Sequence, residues 1–233
     1  MLNYGIDIWG NENFIIKDGA VCINQGSQPS LLEITQDIRN SGLRGPIILR
    51  FPHLIGKQIE KLYNNFTRAI DENEYTGSFN AVFPLKVNQY PQAVKSIIKY
   101  GESNNYGLEA GSKAELILAI AQTPIGSPIT LNGFKDTEMT TLCFMAAQMG
   151  HNITVTLEGI GELESIIEVA NSSNLKIPNI GIRVRLHSTG SGTWAKSGGM
   201  DAKFGLTATE LHEAITLLKG HTLTDYFSIV HFP

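Results

Sequence analysis

Lys86 is the residue best placed by type and position to do chemistry in this 233-residue chain. It stands near the C-terminal end of Asn80-Ala-Val-Phe-Pro-Leu-Lys-Val87, an otherwise mostly apolar segment that reads as a β-strand. Alternation along that strand puts it on the same face as Val82, Pro84 and Asn88. Burial disfavours a charged amine, so a lysine aimed into a dry apolar pocket condenses with an aldehyde or ketone as a Schiff base. The other reading is a strand-end lysine reaching into solvent, and position alone leaves both open. A second candidate is Glu109 in Leu108-Glu-Ala-Gly-Ser112. It is either an acid beside a cofactor at a barrel mouth or a favourable charge near the positive end of a helix. A third region pairs Arg183 and Arg185, on one face of Ile180-Gly-Ile-Arg-Val-Arg-Leu186, with the stretch Gly190-Ser-Gly-Thr-Trp-Ala-Lys-Ser-Gly-Gly199. That stretch reads as a substrate-covering loop, a phosphate cradle of backbone amides or an inert connector. It matches neither a Walker loop nor a dinucleotide fingerprint.

Other chemistries find no support in the residue pattern. His53, His151, His187, His212 and His221 lack metal-ligand spacing, and His212 falls in a helical pattern as a surface residue. There is no nucleophile elbow, and neither Cys22 nor Cys143 stands beside a base. Two cysteines are too few for a disulfide framework, and Cys143 reads as a buried thiol on a helix. The first residues lack the basic and apolar regions of a signal peptide, and no apolar run approaches the ~20 residues that span a bilayer. The compartment expected is cytoplasmic and reducing, with no membrane partner. The net charge of −4 is spread along the chain without a basic block, which leaves nucleic-acid binding no electrostatic footprint. Hydrophobic residues at 42% and charged residues at 17% fit an ordinary folded domain.

The elements that must position these residues alternate from Phe79 onward. Strands are expected at Asn80–Val87, Asn105–Leu108, Pro128–Leu131, Asn152–Leu157, Ile180–Leu186 and Tyr226–Phe232. Helices are expected at Pro91–Tyr100, after Ser112, from Asp136 to Met149, at Glu162–Asn174 and from Thr207 to Lys219. Ser112/Glu115 and Thr207/Glu210 have the spacing of capping boxes. Strands alternating with helices of this length imply parallel pairing with right-handed crossovers. About six such strands suggest an α/β fold, an incomplete TIM-type (β/α)8 barrel, with an open doubly wound sheet as the rival that period alone does not separate.

The first ~78 residues differ. Tyr4–Trp9 and Phe14–Ile23 alternate like two short strands around the turn Gly10-Asn-Glu-Asn13. Leu31–Asn40 and Leu54–Ile70 look helical, the latter with a stripe of Leu54, Ile59, Leu62, Phe66 and Ile70. A lone hairpin is marginal in water, so these strands call for a partner sheet. The domains expected are 1–45, a hairpin and helix belonging to a second β domain, and 46–233, the partial barrel.

Phe83-Pro-Leu-Lys-Val-Asn-Gln89 resembles the cofactor-lysine motif of biosynthetic arginine decarboxylases. Tyr4-Gly-Ile-Asp-Ile-Trp-Gly10, Arg50-Phe-Pro52, Gly107-Leu-Glu-Ala-Gly-Ser-Lys-Ala-Glu115, Asn132-Gly-Phe-Lys-Asp136 and Lys203-Phe-Gly-Leu206 stand in that family's order. The stretch Gly190–Trp194 through Ser197–Gly199 is similar to the segment separating this long-chain family from shorter ornithine and diaminopimelate decarboxylases. The resemblance implies an alanine-racemase-like barrel binding pyridoxal 5′-phosphate. Lys86 would be the residue forming the Schiff base, with Glu109, Arg183 and Arg185 as cofactor contacts. It further implies decarboxylation of L-arginine to agmatine on the way to polyamines such as spermidine, magnesium (Mg2+) as accessory ion, and a homo-oligomer in the complete protein.

The family continues its last strand here as His-Phe-His-Leu-Gly-Ser, where this sequence has His231-Phe232-Pro233 and ends. The second histidine, the later phosphate loop and the glutamate partner of the ring nitrogen are not in this sequence, so the chain alone is expected to be an inactive, shortened version. Two alternatives stand beside that expectation. One is a non-catalytic homologue or fragment that pairs with a full-length decarboxylase and regulates it. The other is a pyridoxal-phosphate decarboxylase of another basic amino acid. A sugar-phosphate-binding barrel is a further option, without a recognisable late phosphate loop.

Overall fold

The computed structural model describes residues 4–186 and 203–232. His187, the glycine-rich stretch 190–199 and Pro233 lie outside the described residues. The chain divides into two compact units, Met1–Leu54 and Ile55–Pro233.

The larger unit is a parallel sheet with helical crossovers. Its strands are β3 (Val82–Pro84), β4 (Gly107–Ala110), β5 (Pro128–Leu131), β6 (Asn152–Leu157), β7 (Asn179–Arg183) and β8 (Phe227–His231). They pair in sequence order, β3-β4-β5-β6-β7-β8, and every pairing is parallel. A doubly wound sheet reverses its strand order at a switch point, whereas barrel strands follow one another without reversal. The unbroken order is that of six consecutive barrel strands, as the alternation in the sequence implies.

The connecting helices are α4 (Pro91–Gly101), α5 (Lys113–Gln122), α6 (Thr137–Gln148), α7 (Gly161–Ser172) and α8 (Ala208–Gly220). Their starts follow from local chemistry. Pro91 stands in the first turn of α4, where its missing N–H costs nothing. Asp136 accepts the Met139 N–H at 2.8 Å, and Thr207 with Glu210 forms a reciprocal capping box. Among the described residues no helix is long and apolar enough to cross a membrane.

Alternation gives the sheet two different faces. Leu108, Ala110, Ile129, Leu131, Ile153, Val155, Leu157, Ile180 and Ile182 are buried and pack with helix residues such as Leu116, Phe144, Leu163 and Ile166. Each large side chain there contributes about 2 kcal/mol of burial. Cys143 belongs to the same layer, and burial pushes its thiol up to about 12. The opposite face carries Gly107, Glu109, Thr130, Thr154, Thr156, Gly181 and Arg183, small or polar side chains that register sets side by side. Glu109 pairs with Thr130, Thr130 with Thr154, and Thr156 with Gly181.

Helix α3 (His53–Glu72) carries an apolar stripe somewhat different from the one expected. Ile59 and Tyr63 are its buried residues, while Leu62 is exposed. Phe66 instead stacks on Phe79 with ring centroids 3.8 Å apart, and Tyr63 meets the same ring edge-on at 5.1 Å. The aromatic contacts rotate the buried line toward the segment that leads into β3.

The smaller unit departs from its expected strands. Ile6–Trp9 is one turn of helix, α1, rather than a strand. Gly5, at φ +67°, turns the backbone into it, and the Trp9 indole N–H donates back to the Tyr4 carbonyl at 2.9 Å. The hairpin lies wholly within the second expected strand, as β1 (Phe14–Lys17) and β2 (Ala20–Ile23) in antiparallel register. Asp18 and Gly19, at φ 51° and 75°, supply the two positive φ angles that a tight hairpin turn requires. An Asp-Gly dipeptide between apolar runs is the signal for such a turn, and alternation alone passes over it. Helix α2 (Leu31–Asn40) starts on a reciprocal capping box of Ser30 and Glu33.

Close strand approach makes one glycine indispensable. A Cβ on Gly107 would lie 1.8 Å from the Pro128 carbonyl oxygen, a backbone atom that cannot swing aside. Gly107→Ala is expected to lose about 3 kcal/mol, the upper end of overpacking costs. Urea unfolding of the two proteins reads the difference directly.

Candidate functional site

Parallel pairing brings the C-terminal ends of β3 to β8 to one rim, and the residues singled out from the sequence fall there. Lys86 follows β3 by two residues, and Pro84 is level with Glu109 on β4. Arg183 ends β7 level with His231, which ends β8.

Lys86 itself is placed differently from the expectation. The strand stops at Pro84, and Leu85–Val87 form a turn of 3-10 helix that breaks the two-residue alternation. Leu85 takes the buried position, while Lys86 and the residues after it are exposed. Its amine is thus exposed and not enclosed in the dry apolar pocket anticipated for it. The stretch after the lysine is anchored. Gln89 Nε2 donates to Glu115 Oε1 at 3.2 Å, and the other oxygen of Glu115 accepts the Gly111 N–H at 2.8 Å. The expected capping box at Ser112 is therefore only half formed. Ser112 accepts the Glu115 N–H, but the Glu115 carboxylate turns to the β4–α5 loop and the segment beyond Lys86.

Glu109, Arg183 and His231 form an electrostatic group with Glu158, which the sequence reading did not single out. The imidazole of His231 is held below its ordinary value near 6.5, first by burial and then by the Arg183 charge, against the opposing pull of Glu158 and Glu109. His231 Nδ1, Arg183 Nε and Thr130 Oγ1 are buried and have no hydrogen-bond partner among the described residues. Three such orphans near one end of one sheet face mark a place suited to a polar ligand.

Glu158 is the most heavily engaged residue of the rim. Its side chain is 5% exposed, and its Oε2 accepts Arg183 Nη1 at 3.0 Å. Its Oε1 accepts the Gly133 N–H at 2.9 Å. Its backbone N–H donates to Glu162 Oε2 at 2.8 Å, and its carbonyl accepts the Gly205 N–H at 3.0 Å. Gly133 and Gly205 adopt φ of +77° and +96°, which turns their amides toward this residue. The signal was present in the sequence. Leu157-Glu158-Gly159 repeats the Leu108-Glu109-Ala110 pattern, an acid at the end of an apolar strand, and Glu158 continues the face of Thr154 and Thr156.

Arg185 is directed elsewhere than Arg183. Its Nη2 donates to the Gly205 carbonyl at 3.2 Å, and its charge helps hold the Glu210 carboxyl below the usual range, after the larger effect of the Thr207 hydrogen bonds. It thus braces the start of α8. Beside the group, a cleft of about 490 Å³ opens between the β5–α6 and β6–α7 loops, lined in part by Phe134, Lys135, Glu158, Glu162 and Phe204. The buried pair in its wall is Lys135 Nζ with Glu162 Oε2 at 3.0 Å, with side chains 1% and 12% exposed.

Two outcomes follow from these placements. Lys135→Met strands the Glu162 carboxylate, and breaking a buried pair of this kind is expected to cost about 3–5 kcal/mol in urea unfolding. An added Glu162→Gln is expected to recover part of it by removing the orphaned charge. For His231, an NMR titration of the ring proton is expected to give a midpoint below 6.5. The unfolded chain takes up that proton near 6.5, so stability is undiminished above this value, falls as pH drops through it, and levels off below the folded midpoint.

Known proteins are similar to this chain in sequence and fold. The profile of the family described as pyridoxal-dependent decarboxylase, pyridoxal binding domain, matches residues 57–224. The biosynthetic arginine decarboxylase of Citrifermentans bemidjiense is 40% identical over 235 residues, covering 98% of this chain and 37% of that protein. That of Bacteroides thetaiotaomicron is 39% identical over 98% of this chain and 37% of that protein. The crystal structure of the Campylobacter jejuni biosynthetic arginine decarboxylase superposes with a TM-score of 0.91 at 56% identity, covering 100% of this chain and 38% of that one. Diaminopimelate decarboxylase from M. jannaschii, at 23% identity and a TM-score of 0.67, shares the fold. This chain spans little more than a third of the length of the curated relatives it matches, and within that span it belongs to the pyridoxal-dependent decarboxylase family.

Proposed function

We propose that this chain supplies the pyridoxal-phosphate-binding part of a decarboxylase acting on L-arginine and releasing agmatine, with Lys86 as the residue that holds the cofactor. The observation that carries the reading is that Lys86, Glu109, Arg183 and His231 stand at or just beyond the C-terminal ends of parallel strands, with Glu109 and Arg183 within electrostatic reach of His231. Identity of 56% to the Campylobacter jejuni enzyme along the whole chain supports the substrate.

The residues suit a small aldehyde that carries a phosphate. Lys86 offers an accessible primary amine at the end of β3. Arg183 offers a positive group with a buried, unsatisfied Nε. Glu109 places a half-buried carboxylate on the sheet face that carries Arg183, level with Pro84 on the strand that precedes Lys86. His231 is kept neutral by burial and by Arg183, so its ring nitrogens can accept as well as donate a hydrogen bond at neutral pH. Arg185 borders the site by way of the Gly205 carbonyl it holds. When bound, pyridoxal phosphate supplies an electron sink for the pair left behind as carbon dioxide departs. The protein's share is to orient the bond that breaks and to keep the charges around it fixed. An accessory magnesium ion also belongs to this reading, yet among the described residues no group of three or more His, Cys, Asp or Glu side chains is arranged to hold one.

Incubation of the chain with pyridoxal phosphate followed by borohydride reduction is expected to label the peptide containing Lys86, and Lys86→Ala is expected to abolish that label. Labelling of a different lysine, or equal labelling of the Lys86→Ala protein, would refute the assignment.

A further inference from the structure

We propose that Glu158 is the positioning residue for Arg183: its anchored carboxylate sets the direction in which the guanidinium presents its remaining donors to a ligand at the strand ends. This rests on the reading that pyridoxal phosphate occupies that rim.

A guanidinium is a rigid planar fork of five N–H donors, so fixing one nitrogen and one face fixes where the others point. Arg183 Nη1 is committed to Glu158 Oε2 at 3.0 Å. The Phe204 ring lies 5.7 Å from Cζ and flanks the group. Arg183 Nε remains buried without a hydrogen-bond partner among the described residues. The arginine is therefore oriented from one side and unsatisfied on another.

The orienting group cannot itself swing. Gly133 N–H holds its second oxygen, Glu162 Oε2 holds its backbone N–H, and Gly205 N–H holds its carbonyl. Glu162 is in turn paired with buried Lys135, whose Nζ also donates to the Gly133 carbonyl. Gly133 and Lys135 come from the β5–α6 loop, Glu158 and Glu162 from the β6–α7 loop and helix, and Gly205 from the β7–α8 segment. Three consecutive loops thus converge on one residue, through its carboxylate and its backbone, and the direction of Arg183 inherits their rigidity. Without Glu158, Arg183 would keep its charge but lose its aim, and a mobile cation gives up part of its interaction with a fixed anion to entropy.

The test is a double-mutant cycle read by pyridoxal-phosphate affinity of the intact chain, from the absorbance change on titration. Glu158→Gln is expected to weaken binding about tenfold, equivalent to about 1.4 kcal/mol, when Arg183 is present. In the Arg183→Gln background the same change is expected to cost less than about twofold, because Glu158 acts through Arg183. Equal losses in the two backgrounds would identify Glu158 as a merely structural residue and overturn the proposal, as would no loss in either. Glu158→Asp, which keeps the charge but shortens its reach, gives the same comparison should the glutamine variant fail to fold. The wild-type titration is read first. No uptake there overturns the cofactor reading, and this proposal with it, whereas uptake followed by equal losses overturns this proposal alone.

Discussion

Parallel pairing of β3 to β8 is the constraint on which the remaining structure depends. It forces every strand to end on the same side, so that residues spread from Lys86 to His231 along the chain are brought to one rim. It also places a crossover helix between each strand and the next and commits one sheet face to apolar packing. Residues of that face, such as Leu108, Ile129, Val155 and Ile182, are fully buried. The other face is left to glycine, threonine and charge. Fold and site are therefore consequences of one geometry, since the strand alternation that builds the core also aims Glu109, Arg183 and Glu158 away from it.

At the rim of that second face, two ion pairs are held by short, well-formed bonds. Arg183 with Glu158 and Lys135 with Glu162 are buried pairs whose carboxylates also accept backbone N–H groups. A buried ion pair taken alone often stabilises little, since desolvation offsets attraction. Here each carboxylate additionally fastens neighbouring loops, which gives the pairs a geometric role beyond their energy. The atoms left over, Arg183 Nε, His231 Nδ1 and Thr130 Oγ1, are the ones a ligand could satisfy. Lys86 contrasts with them, because its amine is exposed on a 3-10 turn beside an edge strand instead of buried in an apolar pocket.

Much of this was legible in the sequence, and the reasons are local. The bounds of α2, β5 and β6 follow from caps and from runs of apolar residues, signals that need no tertiary partner. Alternation of strand and helix from Phe79 onward implied a parallel barrel-like sheet, and the strand order bears it out. Glu109 and Arg183 were legible as acids and bases at strand ends. The errors were also local in origin: Gly5 diverted an apparent strand into α1, and Asp18-Gly19 split another into a hairpin. Glu158 was passed over because its importance lies in partners 25 or more residues away, Arg183, Gly133 and Gly205.

The sequence by itself determined the period of the elements, the chemical types available at the strand ends and the family to which the chain belongs. These depend on residue order and short-range backbone preferences. Only the tertiary structure decided that Arg183 turns to Glu158 while Arg185 turns to Gly205, that Glu115 reaches across to Gln89, and that Lys86 leaves its strand for an exposed turn. Those outcomes depend on which loops the sheet brings within hydrogen-bond reach, and closeness of that kind has no counterpart in distance along the chain.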